Sequence, residues 1–334
     1  MKLHVFLLTL CLSLSFSSCL KKSDRKALPT NSRTVLPSST GNLTELVIVV
    51  SDELWQGELG AILKSAFQES IKAIPQQEAL FDVYAIEPKD FSSIFQTHKN
   101  VLWLSVGDTA TIERKGQKWA KNQLYVYAQH KTEEQLIKTL QKQIYEIREW
   151  FLDKNKKRRI EKLKASAEKE IQKRVQEACG VSITVPKGYQ RAAKEENFIW
   201  LRRDLPKVNI ISNLWIHVED YYSPDQLSKK HLIQIRDSLG RVHVEGPQPQ
   251  SYMATEMIYE PDFALIKEIP YTIETKGLWT MVNDFLGGPY IAYVILDEEI
   301  QKIIYAEGFL YCPSERKRSH ILELEAILSS IKIK

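Results

Sequence analysis

One long amphipathic stretch divides the chain into two halves and limits the folds that it can adopt. Its apolar residues recur at spacings of three and four, and they are Leu136, Leu140, Ile144, Ile147 and Phe151. This spacing places all five on one face of a helix. The spacing of Thr132 and Gln135 predicts a capping box at the start of that helix. The sequence therefore predicts a long helical segment, 132–178, that packs one face against a core.

The second part of this segment is basic. Residues 153–177 carry ten Lys or Arg and five Asp or Glu, which gives +5, whereas the whole chain of 334 residues carries +4. The basicity is therefore local, and we expect no nucleic-acid partner. The cluster 154–159 has two interpretations. Such a run is most often a solvated helix face, but beside a membrane it can also lie against anionic head groups.

The two halves on either side differ in pattern. Buried-strand patterns in the first half occupy residues 43–52, 81–88, 101–108 and 122–130. Helical patterns lie between them, which favours an N-terminal α/β domain, 43–131, with some parallel pairing. In residues 179–334 strands dominate and helices are set apart, which favours a mostly antiparallel sheet with helices. The predicted fold class is α+β.

The first residues have the layout of a secretory signal. Lys2 precedes an apolar run over residues 5–16, and two serines then lead into Cys19. A spanning helix needs about 20 apolar residues, so this shorter run predicts a cleaved signal peptide, 1–18. The segment FSSC resembles a lipobox and predicts acylation of Cys19. The alternative is an ordinary signal peptide with a chance cysteine.

Acylation would make Cys19 a lipid anchor, which holds a protein on a membrane without spanning it. Residues 19–42 are polar, rich in Ser and Lys, and interrupted by Pro29 and Pro37. This composition is typical of a flexible tether. The sequence thus predicts an exported lipoprotein that has its membrane as one partner.

Two cysteines remain in the body of the chain, Cys179 and Cys312. In an exported protein they could close one disulfide, and two buried free thiols are an equally good interpretation without geometry. No CxxC pair or Cys/His cluster has the spacing of a zinc site. We therefore expect no metal and no cofactor.

The sequence contains no motif that specifies a reaction. It lacks HExxH, GxSxG, GxxxxGK[ST] and GxGxxG. His217 and Glu219 share one face of a predicted strand, and His231 and His243 follow. If folding gathers them, these side chains could serve as acid, base or metal ligand. Ordinary surface polarity explains them equally well.

A hairpin tip in residues 277–293 is the best candidate for a contact surface. Two aromatic-rich strands flank the tip, where the glycines allow positive φ and the proline starts the second strand. The structural interpretation is a tight turn. The functional interpretation is a binding loop, since the tip is too apolar for routine exposure. The candidate binding residues are Trp279, Phe285, Leu286, Gly287, Gly288, Pro289 and Tyr290.

Several motifs together resemble a known family. They are KGLWTMVNDFLGGPYIAYVI, AEGFLYCPSERKR, VPKGYQRAAKEENFIWLRR, GPQPQSYMATE and ELVIVVSDELWQGELG. The chain is similar in them to uncharacterised Bacteroidetes lipoproteins, catalogued as domain of unknown function 4837. The resemblance implies a lipid-anchored envelope protein and supplies no reaction or catalytic residue. Surface-exported members carry acidic residues after the cysteine, whereas Lys21 and Lys22 stand here. An outer-membrane position facing the periplasm is therefore implied.

Two hypotheses about function follow. The favoured one is a non-catalytic binding or scaffold module that contacts an envelope protein, lipid or glycan while the anchor holds it at the membrane. The alternative is a periplasmic hydrolase whose site is built from the dispersed histidines and acidic residues.

Overall fold

The first half of the chain forms a five-stranded sheet that is parallel except at one edge. The structure, a computed structural model, describes residues 36–267 and 269–332. The strands are β1 (Glu45–Val49), β2 (Asp82–Ile86), β3 (Asn100–Val106), β4 (Thr111–Lys115) and β5 (Leu124–His130). Their order is β2-β1-β3-β5-β4, and only the edge strand β4 runs antiparallel to its neighbour.

Three helices connect these strands: α1 (Asp52–Gln56), α2 (Glu58–Phe67) and α3 (Ser93–Gln96). Helix α2 packs on one face of the sheet, together with the long helix α4 (Glu133–Ala165). Phe67, Phe81 and Phe151 meet there edge to face, with centroids 5.8 to 6.4 Å apart. Burial of each such ring contributes about 2 kcal/mol. The apolar stripe predicted from the sequence thus packs on this core.

Residues 37–41 already pair with the segments that lead into β3 and β5. Ser38 bridges to Lys121, and Thr40 bridges to His98. The end of the predicted tether is therefore held by backbone hydrogen bonds. The predicted signal peptide, Cys19 and the rest of the tether up to residue 35 lie outside the described residues.

The long helical segment consists of two helices. Thr132 caps α4 by accepting a hydrogen bond from the Gln135 backbone N–H at 3.3 Å. The reciprocal half of the predicted capping box is not formed, because the Gln135 side chain bonds His130 instead. Helix α4 ends at Ala165, since Ala167 forms a β-bridge with Pro186. Helix α5 (Lys169–Cys179) then completes the segment.

The second half forms an eight-stranded antiparallel sheet. Its strands are β6 (Gln190–Glu195), β7 (Phe198–Leu205), β8 (Ile210–Asp220), β9 (Tyr252–Thr255), β10 (Asp262–Ile266), β11 (Thr272–Val282), β12 (Gly287–Asp297) and β13 (Lys302–Tyr311). The order is β10-β11-β12-β13-β8-β7-β6, and β9 pairs with β11 beside β10.

Helices cover both faces of this sheet, which explains why its central strands are buried on both sides. Helices α5 and α7 (Arg318–Leu328) pack on one face, and α6 (Lys229–His243) packs on the other. In β12, Ile291 and Tyr293 face the core beneath α5 and α7, whereas Tyr290 and Ala292 face the core beneath α6. The predicted α+β class, an α/β layer followed by a mostly antiparallel sheet, is confirmed.

The chain from Pro37 onward forms one compact unit that contains both sheets. Helix α4 touches the first sheet along its length and also contacts α7 of the second lobe. The C-terminal end of α4 therefore lies where the two lobes meet. Within the described part of the chain, no helix combines the length and apolarity needed to cross a membrane.

Candidate functional site

The end of α4 carries a buried polar cluster where the apolar stripe would be expected to continue. The stripe ends at Phe151, and the next positions on that face are Asn155 and Arg158. Arg158 donates to the backbone oxygens of Asn122 at 2.9 Å and Lys99 at 2.8 Å. It also donates to the side-chain oxygens of Asn100 and Asn155, at 2.7 and 2.6 Å. The buried guanidinium is thereby fully engaged in holding α4 to the first sheet.

Arg159, one residue further along α4, lines a cleft of about 710 Å³. Its guanidinium is half-buried. Among the described residues it has no hydrogen-bond or ion-pair partner. Burial lowers the pKa of Arg159 to about 10, with Glu325 acting in the opposite direction and Arg318 adding to the decrease. This charged group has therefore lost water without gaining a direct partner in the protein.

One wall of the cleft is fixed by contacts between the lobes. The Glu78 carboxylate accepts from the backbone N–H groups of Lys317 at 2.6 Å and Arg318 at 3.1 Å, at the start of α7. Arg318 donates to the Ala79 carbonyl at 2.6 Å and forms an ion pair with Asp82. The carboxylates of this wall are thus engaged by α7 and its preceding residues.

The opposite wall is closed by a second ion pair. Arg203 of β7 donates to Glu323 of α7 at 2.9 Å. The same guanidinium lies over the Tyr189 ring, 4.8 Å from its centroid. The ion pair makes this wall locally neutral, although Arg203 Nε and the Tyr189 hydroxyl are buried without a hydrogen-bond partner.

The remaining charge in the cleft is positive. Six basic side chains line it, against three carboxylates, and the basic ones are Arg159, Lys162, Lys187, Arg203, Arg316 and Arg318. Arg203, Arg316 and Arg318 lie near Glu323 or Asp82. In the described part of the chain, the side chains of Arg159, Lys162 and Lys187 have no acidic partner within ion-pair distance. Such an arrangement can hold a phosphate or carboxylate group.

The histidines proposed for catalysis lie elsewhere and form loose pairs. His231 Nε2 is 3.5 Å from a Glu219 oxygen without a hydrogen bond, and His243 Nδ1 is 3.8 Å from Glu195. Burial lowers the pKa of His217, against the influence of Glu219. No group of three possible metal ligands occurs among the residues that the structure describes. The histidines also do not line the cationic cleft.

The hairpin tip has a different construction from the one that its glycines predict. Asn283 takes the positive φ of the turn, at 61°, whereas Gly287 and Gly288 are strand residues without it. A Cβ on Gly288 would stand 2.0 Å from the Leu310 carbonyl oxygen. The positive φ that these two glycines would allow is therefore not used. Gly288 instead permits close approach between strands.

The candidate binding residues of the hairpin divide into two groups. Trp279 and Tyr290 are 5% and 1% exposed, and the Trp279 indole donates to Leu310 inside the core. Pro289 is buried in β12 opposite Leu278. Phe285 at the tip is fully exposed, and the neighbouring Leu286 is half-buried. A partner at this tip would therefore contact mainly Phe285.

The two body cysteines are buried free thiols. Cys179 Sγ donates to the Ile216 carbonyl at 3.6 Å, and Cys312 Sγ donates to the Glu315 carbonyl at 3.4 Å. The disulfide that the sequence left open is absent from this structure. Burial raises the pKa of both thiols, which keeps them protonated and unreactive at neutral pH.

Sequence reasoning did not identify the cleft, because it treated the basic cluster 154–159 as one surface. A usable signal was present: Asn155 and Arg158 follow Phe151 at spacings of four and three. Polar residues that continue an apolar stripe indicate a buried polar contact. The residue after them, Arg159, then has to lie on a different side of the helix.

Family comparisons match both lobes. Residues 167–330 match the family described as Domain of unknown function (DUF4837). This match covers just under half of the chain and includes most of the second lobe. Residues 39–164 match a second one, Domain of unknown function (DUF8532). The predicted match to this domain of unknown function is confirmed, whereas the Bacteroidetes origin and the lipid anchor stay predictions. Neither description names an activity. Comparison with curated proteins finds no match.

Solved structures give only distant likenesses. One is a mutant of the protein Mog1, at 8% identity and TM-score 0.28, over 46% of this chain and 90% of that chain. Another is the human StarD13 (DLC2) lipid transfer and protein localization domain, at 14% identity and TM-score 0.22, over 48% and 94%. TM-scores this low do not establish a common fold, and neither protein informs the function of this chain.

Proposed function

We propose that this protein is a lipid-anchored, non-catalytic binding module of the cell envelope, and that its cationic cleft binds a small anion. The anion would carry phosphate or carboxylate groups. The observation that supports this most directly is Arg159, a partly buried guanidinium without a direct partner among the described side chains. Buried charges in proteins are ordinarily paired, so an unpaired one calls for a ligand.

The energetics favour an anion at this position. A pKa of Arg159 lowered from 12.5 to about 10 corresponds to about 3 kcal/mol of lost stabilisation of the charged form. A bound phosphate or carboxylate would return part of this energy through charge-assisted hydrogen bonds. Lys162 and Lys187 line the same cleft and would add attraction at the rim. An anion would thus bind where the free protein holds a desolvated, unpaired charge.

The cleft is also preorganised. Glu78, Asp82 and Glu323 hold the basic residues of the walls and link segments far apart in the chain. A rigid site loses little conformational entropy on binding. Its volume of about 710 Å³ lies within the range of small-ligand sites.

The anchor and the location rest on the N-terminal sequence. Lys2, the apolar run and Cys19 support export and acylation, and the polar tether would let the folded body stand away from the bilayer. Lys21 and Lys22 support an outer-membrane position facing the periplasm. A ligand in this compartment would have to be an envelope component or an imported small anion.

Calorimetric titration of the full chain with pyrophosphate and with citrate tests the cleft. We expect saturable binding that weakens by about tenfold in Arg159→Met, as for loss of one charge-assisted contact. Lys164→Met is the matched control, because Lys164 is exposed on the same helix and does not line the cleft. Equal affinity in the parent and in Arg159→Met would contradict the proposal.

The anchor has a separate test. Labelled palmitate should enter the parent in cells and should not enter Cys19→Ala. Equal labelling of both would refute the lipoprotein assignment and leave the cleft untouched.

A further inference from the structure

A second candidate site lies on the other face of the first sheet. Helices α2 and α4 cover one face, and the segment around Phe91 covers part of the opposite one. Beside Phe91 an open cleft of about 430 Å³ remains. The aromatic side chains that line it are Phe91, Trp103, Trp119, Tyr125 and Tyr127. No part of this region contributes to the cationic cleft.

The rings are held in place by one another. Phe91 packs edge-on against Trp103 and Trp119, with centroids 5.2 and 5.4 Å apart. Trp119 meets Tyr125 at 4.9 Å in the same geometry. Edge-to-face pairs of this kind add stabilisation beyond the burial of the rings. Because Trp103, Trp119 and Tyr127 are only half-buried, the fixed cluster still presents ring surface to solvent.

The polar groups around these rings are mostly donors. The Lys118 ammonium lies 4.2 Å from the Trp119 centroid and 4.3 Å from the Tyr125 centroid. Within the described ranges no carboxylate lies within ion-pair distance of it. Lys115, in contrast, is neutralised by Glu113 at 2.6 Å. The cleft therefore combines aromatic surface with one cation that lacks a counter-ion.

We propose that this aromatic cleft binds an acidic sugar residue. Its carboxylate pairs with Lys118, and its ring lies against the exposed aromatic surface of Trp103 and Tyr127. The Gln96 amide lines the same cleft, and the Tyr127 hydroxyl lies 3.2 Å from the Ser105 hydroxyl. These polar groups can hydrogen-bond the hydroxyls of a sugar. A planar aromatic acid would leave them unused, and a neutral sugar would leave Lys118 unpaired.

The test is a titration of the full chain with the trimer of galacturonic acid, followed by tryptophan fluorescence and calorimetry. Trp103 and Trp119 report directly on occupancy. We expect binding to weaken about fivefold in Lys118→Gln, as for loss of a partly exposed ion pair. Trp103→Leu should weaken it further, and maltotriose should bind about tenfold more weakly than the acidic trimer.

Arg159→Met separates the two clefts. Trimer binding that survives Arg159→Met and declines in Lys118→Gln supports the aromatic site. Binding that is lost in Arg159→Met and retained in Lys118→Gln would overturn it, because the sugar would then occupy the cationic cleft. Absence of trimer binding at about 10 mM, or benzoate that binds as well as the trimer, would also overturn it.

Discussion

Two neighbouring arginines on α4 have similar burial effects and opposite surroundings. Burial lowers the pKa of both Arg158 and Arg159 to about 10. Arg158 donates to backbone and side-chain oxygens of four residues, whereas Arg159 has no direct partner among the described ones. Arg158 holds α4 to the first sheet, whereas Arg159 is the position at which we propose that an anion binds. Burial alone therefore does not separate a structural charge from a functional one, but its partners do.

The second lobe contains another buried arginine with direct partners, although its Nε has no hydrogen-bond partner. Arg236 of α6 is 1% exposed and lies 3.1 Å from the carboxylate of Glu307, which is 0% exposed. It also donates to the Thr255 hydroxyl at 3.1 Å and lies over the Tyr290 ring. Like Arg158, Arg236 therefore has a structural role.

The largest effect is expected at Arg236. Arg236→Met leaves the Glu307 carboxylate buried without its cation, so unfolding free energy should fall by about 3–5 kcal/mol. Urea unfolding followed by circular dichroism measures the change. Arg236→Met combined with Glu307→Leu should recover part of the loss. A single variant as stable as the parent would show that the carboxylate is not held charged by Arg236.

Arg158→Met comes next. It removes the donors to the Asn122 carbonyl and to the side-chain oxygens of Asn100 and Asn155. Unmet acceptors of this kind cost about 1–3 kcal/mol each. We expect a net loss of about 2–4 kcal/mol in urea unfolding. A loss of less than about 0.5 kcal/mol, as for an ordinary surface substitution, would show that Arg158 does not stabilise the fold.

Arg159→Met should act in the opposite direction. Methionine keeps aliphatic contacts and removes a poorly solvated charge, so the free protein should gain about 1 kcal/mol. The gain is smaller than the full desolvation energy because the cleft is open to water. Unfolding is measured without multivalent anions, and then with pyrophosphate, which should stabilise only the parent. Destabilisation of the free protein by this variant would indicate a structural role for Arg159.

The sequence predicted the packed face of α4 and the first sheet, but it did not predict the cationic cleft. The apolar spacing up to Phe151 predicted the packed face of α4, and alternating segments predicted the first sheet. The cleft depends on contacts between distant residues, such as Glu78 with the start of α7, 239 positions apart. No local pattern reports such a contact. The charge pattern could not separate the two arginines, because Arg158 and Arg159 stand in the same basic cluster.

The smallest effect is expected at His217, a buried titratable side chain whose Nδ1 has no hydrogen-bond partner. Its Nδ1 is buried without a hydrogen bond, and burial lowers the pKa of the ring below the usual 6.5, with His243 adding to the decrease and Glu219 opposing it. The unfolded chain therefore takes up the proton first as pH falls. Stability should decline below about pH 6.5 and continue to decline until the pH passes the folded-state pKa.

His217→Gln should flatten this decline, because glutamine cannot titrate. The measurement is the unfolding free energy of parent and variant between about pH 7.5 and pH 5.5, a window near the histidine pKa of about 6.5. His320, whose pKa burial also lowers, should retain part of the slope in the variant. A variant that loses as much stability as the parent over this window would place the acid sensitivity elsewhere. Burial of His217 would then have no measurable effect on the pH dependence of stability.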